Sequence, residues 1–95
     1  MQKLDDAAIE VGLKTLPLWK RESDTIKRKF EFDTFLNAIA FINRIAPLAE
    51  SADHHPELFN VYNRVEIVLT THDADGVTEK DFSLARQIDA VVEAS

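Results

Sequence analysis

Phe59-Asn60-Val61-Tyr62-Asn63-Arg64-Val65-Glu66-Ile67-Val68-Leu69-Thr70-Thr71 is the stretch on which the fold turns. Val65, Ile67 and Leu69 alternate with Arg64, Glu66 and Thr70, the period of two that sends apolar side chains to one face of a strand and polar ones to the other. Phe59 to Val61 is a second, shorter β-prone run. With Tyr62-Asn63 as a two-residue turn, the two runs form a hairpin in which Val61 faces Arg64.

A second hairpin is expected upstream. Leu18–Glu22 and Thr25–Phe32 read as strands around a Ser23-Asp24 turn, with Ile26, Phe30 and Phe32 on one face and Lys27, Lys29 and Glu31 on the other. Helices flank both hairpins. Asp5 or Asp6 caps a first helix, with Ala8, Ile9, Leu13 and Leu16 near helical spacing until Pro17 stops it. Asp33 is expected to cap a second, with a stripe of Phe35, Leu36, Ile39, Ile42, Ile45 and Ala49. Pro47 removes the hydrogen bond to the Asn43 carbonyl and should kink or shorten its last turn. Thr78-Glu79-Lys80-Asp81 opens a third helix, carried on by Leu84, Ala85, Ile88, Val91 and Val92 almost to the C-terminus. Asp81, three residues after Thr78, is read as capping chemistry, and Trp19 with the phenylalanines of residues 30–41 as core. The order α-β-β-α-β-β-α predicts an α+β fold, a four-stranded antiparallel sheet with three helices on one face, in a single domain over residues 1–95.

Composition narrows the function classes. Seventeen acidic residues against 11 basic ones leave a formal charge of −6, which disfavours direct nucleic-acid binding, and Lys27-Arg28-Lys29 is short enough to be a solvated face. The absence of cysteine removes thiol catalysis, disulfides and cysteine-based zinc sites. The Met-Gln-Lys-Leu-Asp-Asp start lacks an apolar signal segment, and no run approaches the roughly 20 apolar residues of a membrane span, so a soluble cytoplasmic protein is expected.

All three histidines fall between His54 and His72. Continuing the hairpin register places Asp53 opposite His72, with His54 and His55 opposite Thr71 and Thr70; Pro56 should interrupt the ladder, so this is proximity rather than pairing. Imidazoles, with an ordinary pKa of about 6.5, exchange protons near neutrality, and Glu50 and Asp53 beside them can fix tautomers or accept protons. No nucleophile motif and no glycine-rich phosphate loop accompanies them, which favours elimination or hydration over acyl or phosphoryl transfer.

The pattern Glu50-x-x-x-His54-His55-Pro56, five residues to Tyr62, nine to His72 and eight to Asp81 resembles the signature of the pterin-4a-carbinolamine dehydratases, as do Phe59–Val65 and Thr71-His72-Asp73. The resemblance implies loss of water from 4a-hydroxytetrahydropterin to give quinonoid dihydropterin, in the cofactor cycle of an aromatic amino-acid hydroxylase, without a metal or organic cofactor. It implies catalytic roles for His54, His55 and His72, with His54 and His72 as general acid-base groups and His55 holding the pterin ring. Glu50 and Asp53 would orient imidazoles or meet the polar pterin edge. Lys80 stands where the family commonly has arginine and Leu58 where many members have tryptophan, changes that remove a planar donor fork and an aromatic wall. A homotetramer, built as a dimer of dimers, is implied as well.

Two rival readings are set beside the enzyme. Relatives also serve as dimerisation partners of a transcription factor, and the missing aromatic at Leu58 keeps a binding protein on the same scaffold in view. Histidine triads also hold zinc, although neighbouring His54 and His55 cannot easily aim at one ion. Tyr62 is as ready to pack at an edge as to touch substrate.

Overall fold

The alternation of residues 64–69 does form a strand. In the computed structural model, which describes residues 2–94, β4 (Arg64–Leu69) buries Val65, Ile67 and Leu69 and turns the residues between them away. β3 (Glu57–Val61) pairs with it antiparallel, Val61 opposite Arg64, and Tyr62 supplies the turn with a φ of 51°. β3 starts two residues earlier than expected, directly after Pro56, whose missing N–H keeps it out of the ladder.

β2 (Thr25–Glu31) pairs with the other side of β4, and β1 (Lys20–Glu22) pairs with β2, giving the antiparallel order β1-β2-β4-β3. β1 begins at Lys20 rather than Leu18. Trp19 is drawn into the core instead, where its indole N–H donates to Asp89 Oδ1 over 2.8 Å, and Leu18 is left exposed.

Three helices, α1 (Asp6–Leu13), α2 (Phe35–Ser51) and α3 (Glu79–Glu93), lay their buried side chains on those of β2 and β4 in one apolar cluster. Asp5 caps α1 by accepting from the Ala8 N–H. The helix ends four residues before Pro17, because a looser run of i to i−3 bonds through Leu16 carries that leucine into the core. α2 is capped by Thr34, whose hydroxyl accepts from the Asn37 N–H, and not by Asp33 one residue earlier. Pro47 does not end α2, which runs on to Ser51; Asn43 and Pro47 are both exposed, so water can serve the carbonyl the proline leaves unpaired.

The apolar stripe of α2 is also displaced from the expected one. Ala38, Phe41, Ile45 and Ala49 face the sheet, while Phe35 and Leu36 are 44% and 73% exposed. Phe41 decides the rotation, since it meets Phe30 and Phe32 at ring-centroid distances of 4.8 and 5.0 Å, and the alanines let the helix approach. Phe35 is therefore not core.

The basic run Lys27-Arg28-Lys29 is divided by the pleat. Lys27 meets Glu22 at 2.6 Å, a hydrogen bond that holds the Glu22 carboxyl below the usual carboxylate range and Lys27 above its own. Arg28 lies on the helix side, 2.6 Å from Asp89 and 4.3 Å over the Phe30 ring, rather than on a solvated face. Its charge is matched inside the protein. No described helix is long and apolar enough to cross a membrane.

At Gly12, α1 passes close to the Phe82 ring of α3. A Cβ there would stand 2.6 Å from the Phe82 ring tip, and Phe82 is buried. Gly12→Ala should therefore lower stability by about 1–3 kcal/mol despite the better helix propensity of alanine, read as a fall in the urea midpoint at unchanged slope.

Candidate active site

The end of α2 determines where the histidines go. Asp53 takes a left-handed φ of 49°, its N–H bonding the Glu50 carbonyl at 3.1 Å, while the His54 N–H bonds the Ala49 carbonyl at 3.0 Å. These two bonds form a Schellman motif, with aspartate in the position that glycine usually holds. The turn reverses the chain and drives the His54 side chain inward, to 10% exposure.

There His54 Nε2 meets Asp81 Oδ1 at 2.5 Å, and the carboxylate is fully buried. Asp81 Oδ2 accepts from the Thr71 hydroxyl and from the Thr78 N–H, both at 2.9 Å. The second of these is one half of the α3 capping box expected from Thr78 and Asp81. Asp81 thus caps the helix as predicted and also holds a histidine, a partner that lies 27 residues away in sequence.

Thr71 leads directly into His72. The ladder of β4 with β3 stops at Val68 and that with β2 at Leu69, and Thr71 instead forms an isolated bridge to Gly76, closing a tight loop around the 3-10 turn His72–Ala74. Pro56 interrupts the ladder as expected, so Asp53, His54 and His55 have no ladder partners in the chain beyond β4. The Schellman turn takes Asp53 and His54 out of strand geometry, and the Thr70 hydroxyl bonds the Asp24 carbonyl. His54 and Thr71 meet all the same, through Asp81. His72 is exposed, and its ring has no hydrogen bond among the described residues.

His55 points away from its neighbour. Its Nε2 lies 2.7 Å from Glu50 Oε1, and both side chains are solvent-facing. The pair sits on one wall of an open, mainly apolar groove of about 490 Å³ between α2 and β3, shared with Pro47, Pro56 and Leu58. Glu50, His55 and Leu58 are therefore brought together. Asp53 is exposed in its turn with no side-chain hydrogen bond among the described residues, and Lys80 is half-buried in the first turn of α3; neither lines the groove. Adjacent imidazoles bound to different carboxylates do not converge on one ion, and no cluster of three His, Asp or Glu among the described residues is arranged to hold a metal.

A family model described as pterin 4 alpha carbinolamine dehydratase matches residues 2–91. The chain belongs to that family. A relative from Thermomicrobium roseum, provisionally named a pterin-4-alpha-carbinolamine dehydratase, is 49% identical over 88 residues, covering 93% of this chain and 95% of its own. One from Christiangramia forsetii, with the same provisional name, is 46% identical over 95 residues, covering 100% of this chain and 98% of its own. The crystal structure of a "transcriptional coactivator/pterin dehydratase" from Brucella melitensis superposes with a TM-score of 0.92 at 39% identity, over 95% of this chain and 98% of that one. A pterin dehydratase-like protein described as a RuBisCO assembly factor of the alpha-carboxysome shares the fold at a TM-score of 0.66 and 22% identity, over 81% and 89% of the two chains.

Within the pterin 4 alpha carbinolamine dehydratase fold, the sequence reading missed the tie between Asp81 and His54 and the two threonine hydroxyls behind it. The signal for Asp81 was its place in the recurring pattern, which a capping explanation absorbed. Thr71 lay within the Thr71-His72-Asp73 motif and Thr78 at the cap of α3, but nothing local told that their hydroxyls meet behind one carboxylate.

The αL turn at Asp53 generates a stability test. Asp53→Gly should raise the unfolding free energy by up to about 1 kcal/mol, and Asp53→Val should lower it by about 1–2 kcal/mol, several degrees in Tm each way. A valine variant melting with the parent would contradict the strain.

Proposed function

We propose that this chain dehydrates a 4a-hydroxytetrahydropterin to the quinonoid dihydropterin by histidine acid-base catalysis. The C4a–O bond breaks as the leaving hydroxyl takes a proton and departs as water, N5 gives up its proton, and a double bond forms between N5 and C4a. One proton is supplied and one is removed, so two poised imidazoles suffice and no co-reactant is required.

The pairing of His54 with buried Asp81 is the observation that carries this reading. A neutral imidazole donating Nε2–H to a carboxylate keeps Nδ1 as a basic nitrogen, and the carboxylate stabilises the imidazolium formed when that nitrogen takes the N5 proton. His72 in this reading is the exposed acid that protonates the leaving hydroxyl. His55, braced by Glu50, holds the pterin ring in the groove against Leu58; Asp53 and Lys80 stand outside that groove and take no part in this placement. Membership of the family supports the substrate class.

The setting belongs to the same proposal: a cytoplasmic enzyme serving an aromatic amino-acid hydroxylase, assembled as a homotetramer. Exposed Phe35 and Leu36 on α2, and Phe59, Val61 and Tyr62 on and beside the edge strand β3, are surfaces that self-association would cover.

The decay of 4a-hydroxytetrahydropterin generated in place by such a hydroxylase tests the activity. His54→Ala and His72→Ala should each slow the accelerated decay at least about tenfold while circular dichroism reports an intact fold, and full rates in both variants would sink the assignment. Leu58→Trp should tighten pterin binding severalfold in a fluorescence titration if the groove holds the ring. Affinity left unchanged would argue against that placement.

A further inference from the structure

The hydrogen bonds around Asp81 have a fixed direction. The Lys80 N–H donates to Thr78 Oγ1 at 3.2 Å, Thr78 Oγ1 lies 2.8 Å from Thr71 Oγ1, and Thr71 Oγ1 donates to Asp81 Oδ2 at 2.9 Å. A hydroxyl has one proton. Because that of Thr71 goes to the carboxylate, that of Thr78 must go to Thr71, and the chain of donors runs one way, ending on Asp81. With Oδ2 also taking the Thr78 N–H, Oδ1 is turned to His54. A neutral His54 can satisfy that oxygen only by presenting Nε2–H, and Nδ1 has no hydrogen-bond partner among the described residues. Thr71, Thr78 and Asp81 are all buried, so water does not readily substitute for a missing donor.

We propose that Thr71 is a positioning residue: its hydroxyl orients the Asp81 carboxylate and thereby sets the tautomer of His54, leaving Nδ1 as the proton acceptor. The inference rests on the catalytic reading of His54 for its consequence but not for its geometry. Removing the hydroxyl frees Oδ2 on one side and deprives the Thr78 hydroxyl of its acceptor, which then competes for the carboxylate.

The test reads the tautomer directly. In long-range 15N–1H spectra of the uniformly labelled protein, at a pH where the ring is neutral, His54 should show protonated Nε2 and unprotonated Nδ1. Thr71→Ser should keep that pattern. Thr71→Val should give mixed tautomers and lower kcat about tenfold, with KM changed less than twofold. A Thr71→Val protein with the parental His54 spectrum overturns the proposal, as does a parent protein with proton on Nδ1. Should valine prevent folding, Thr71→Ala is read in its place by the same criteria. If the spectra behave as expected and no dehydration is found, the positioning role stands and the proposed activity falls.

Discussion

The structure depends on the burial of one carboxylate. Asp81 has no exposed surface, and taking an ion out of water costs several kcal/mol unless its lone pairs are met by good donors. Those donors come from three separate segments: the turn after α2 gives His54, the loop after β4 gives Thr71, and the start of α3 gives its own Thr78 N–H. None of these segments can move off without leaving a charge uncompensated in the interior. The helix layer and the sheet are thereby locked together at the rim where the histidines stand, and α3 is capped by the same group that holds the imidazole.

Around that anchor, two neighbouring histidines acquire opposite environments. The Schellman turn at Ala52 and Asp53 sends His54 into a dry network and leaves His55 in water beside Glu50. A buried imidazole in a fixed hydrogen bond is suited to moving a proton along a defined direction. An exposed one over an apolar groove is suited to holding a ring. The difference arises from backbone geometry, since the residue type is the same at both positions.

Charge is handled similarly elsewhere. Arg28 enters the protein from a basic run and is met by Asp89, which also accepts the Trp19 indole N–H. One carboxylate oxygen on α3 thus fixes the approach of β2 and of the segment leading into β1.

Periodicity in the sequence determined the element order, the antiparallel pairing of Val61 with Arg64 and the capping of α3, because these follow from local rules: alternation, a two-residue turn, and a threonine three residues before an aspartate. The residues of the pattern from Glu50 to Asp81 pointed to the family to which the chain belongs. Tertiary structure decided what those residues touch. α2 is apolar around much of its circumference, so only its fit against Phe30 and Phe32 selected Phe41 over Phe35 for the core. The hairpin ladder ends at Glu57, as Pro56 led one to expect, but the left-handed residue at Asp53 that turns the chain beyond it is something no alternation records. The tie between His54, Asp81 and Thr71 joins residues 10 to 27 positions apart, and its strength comes from exclusion of water, which is a property of the folded interior and not of any local stretch of chain.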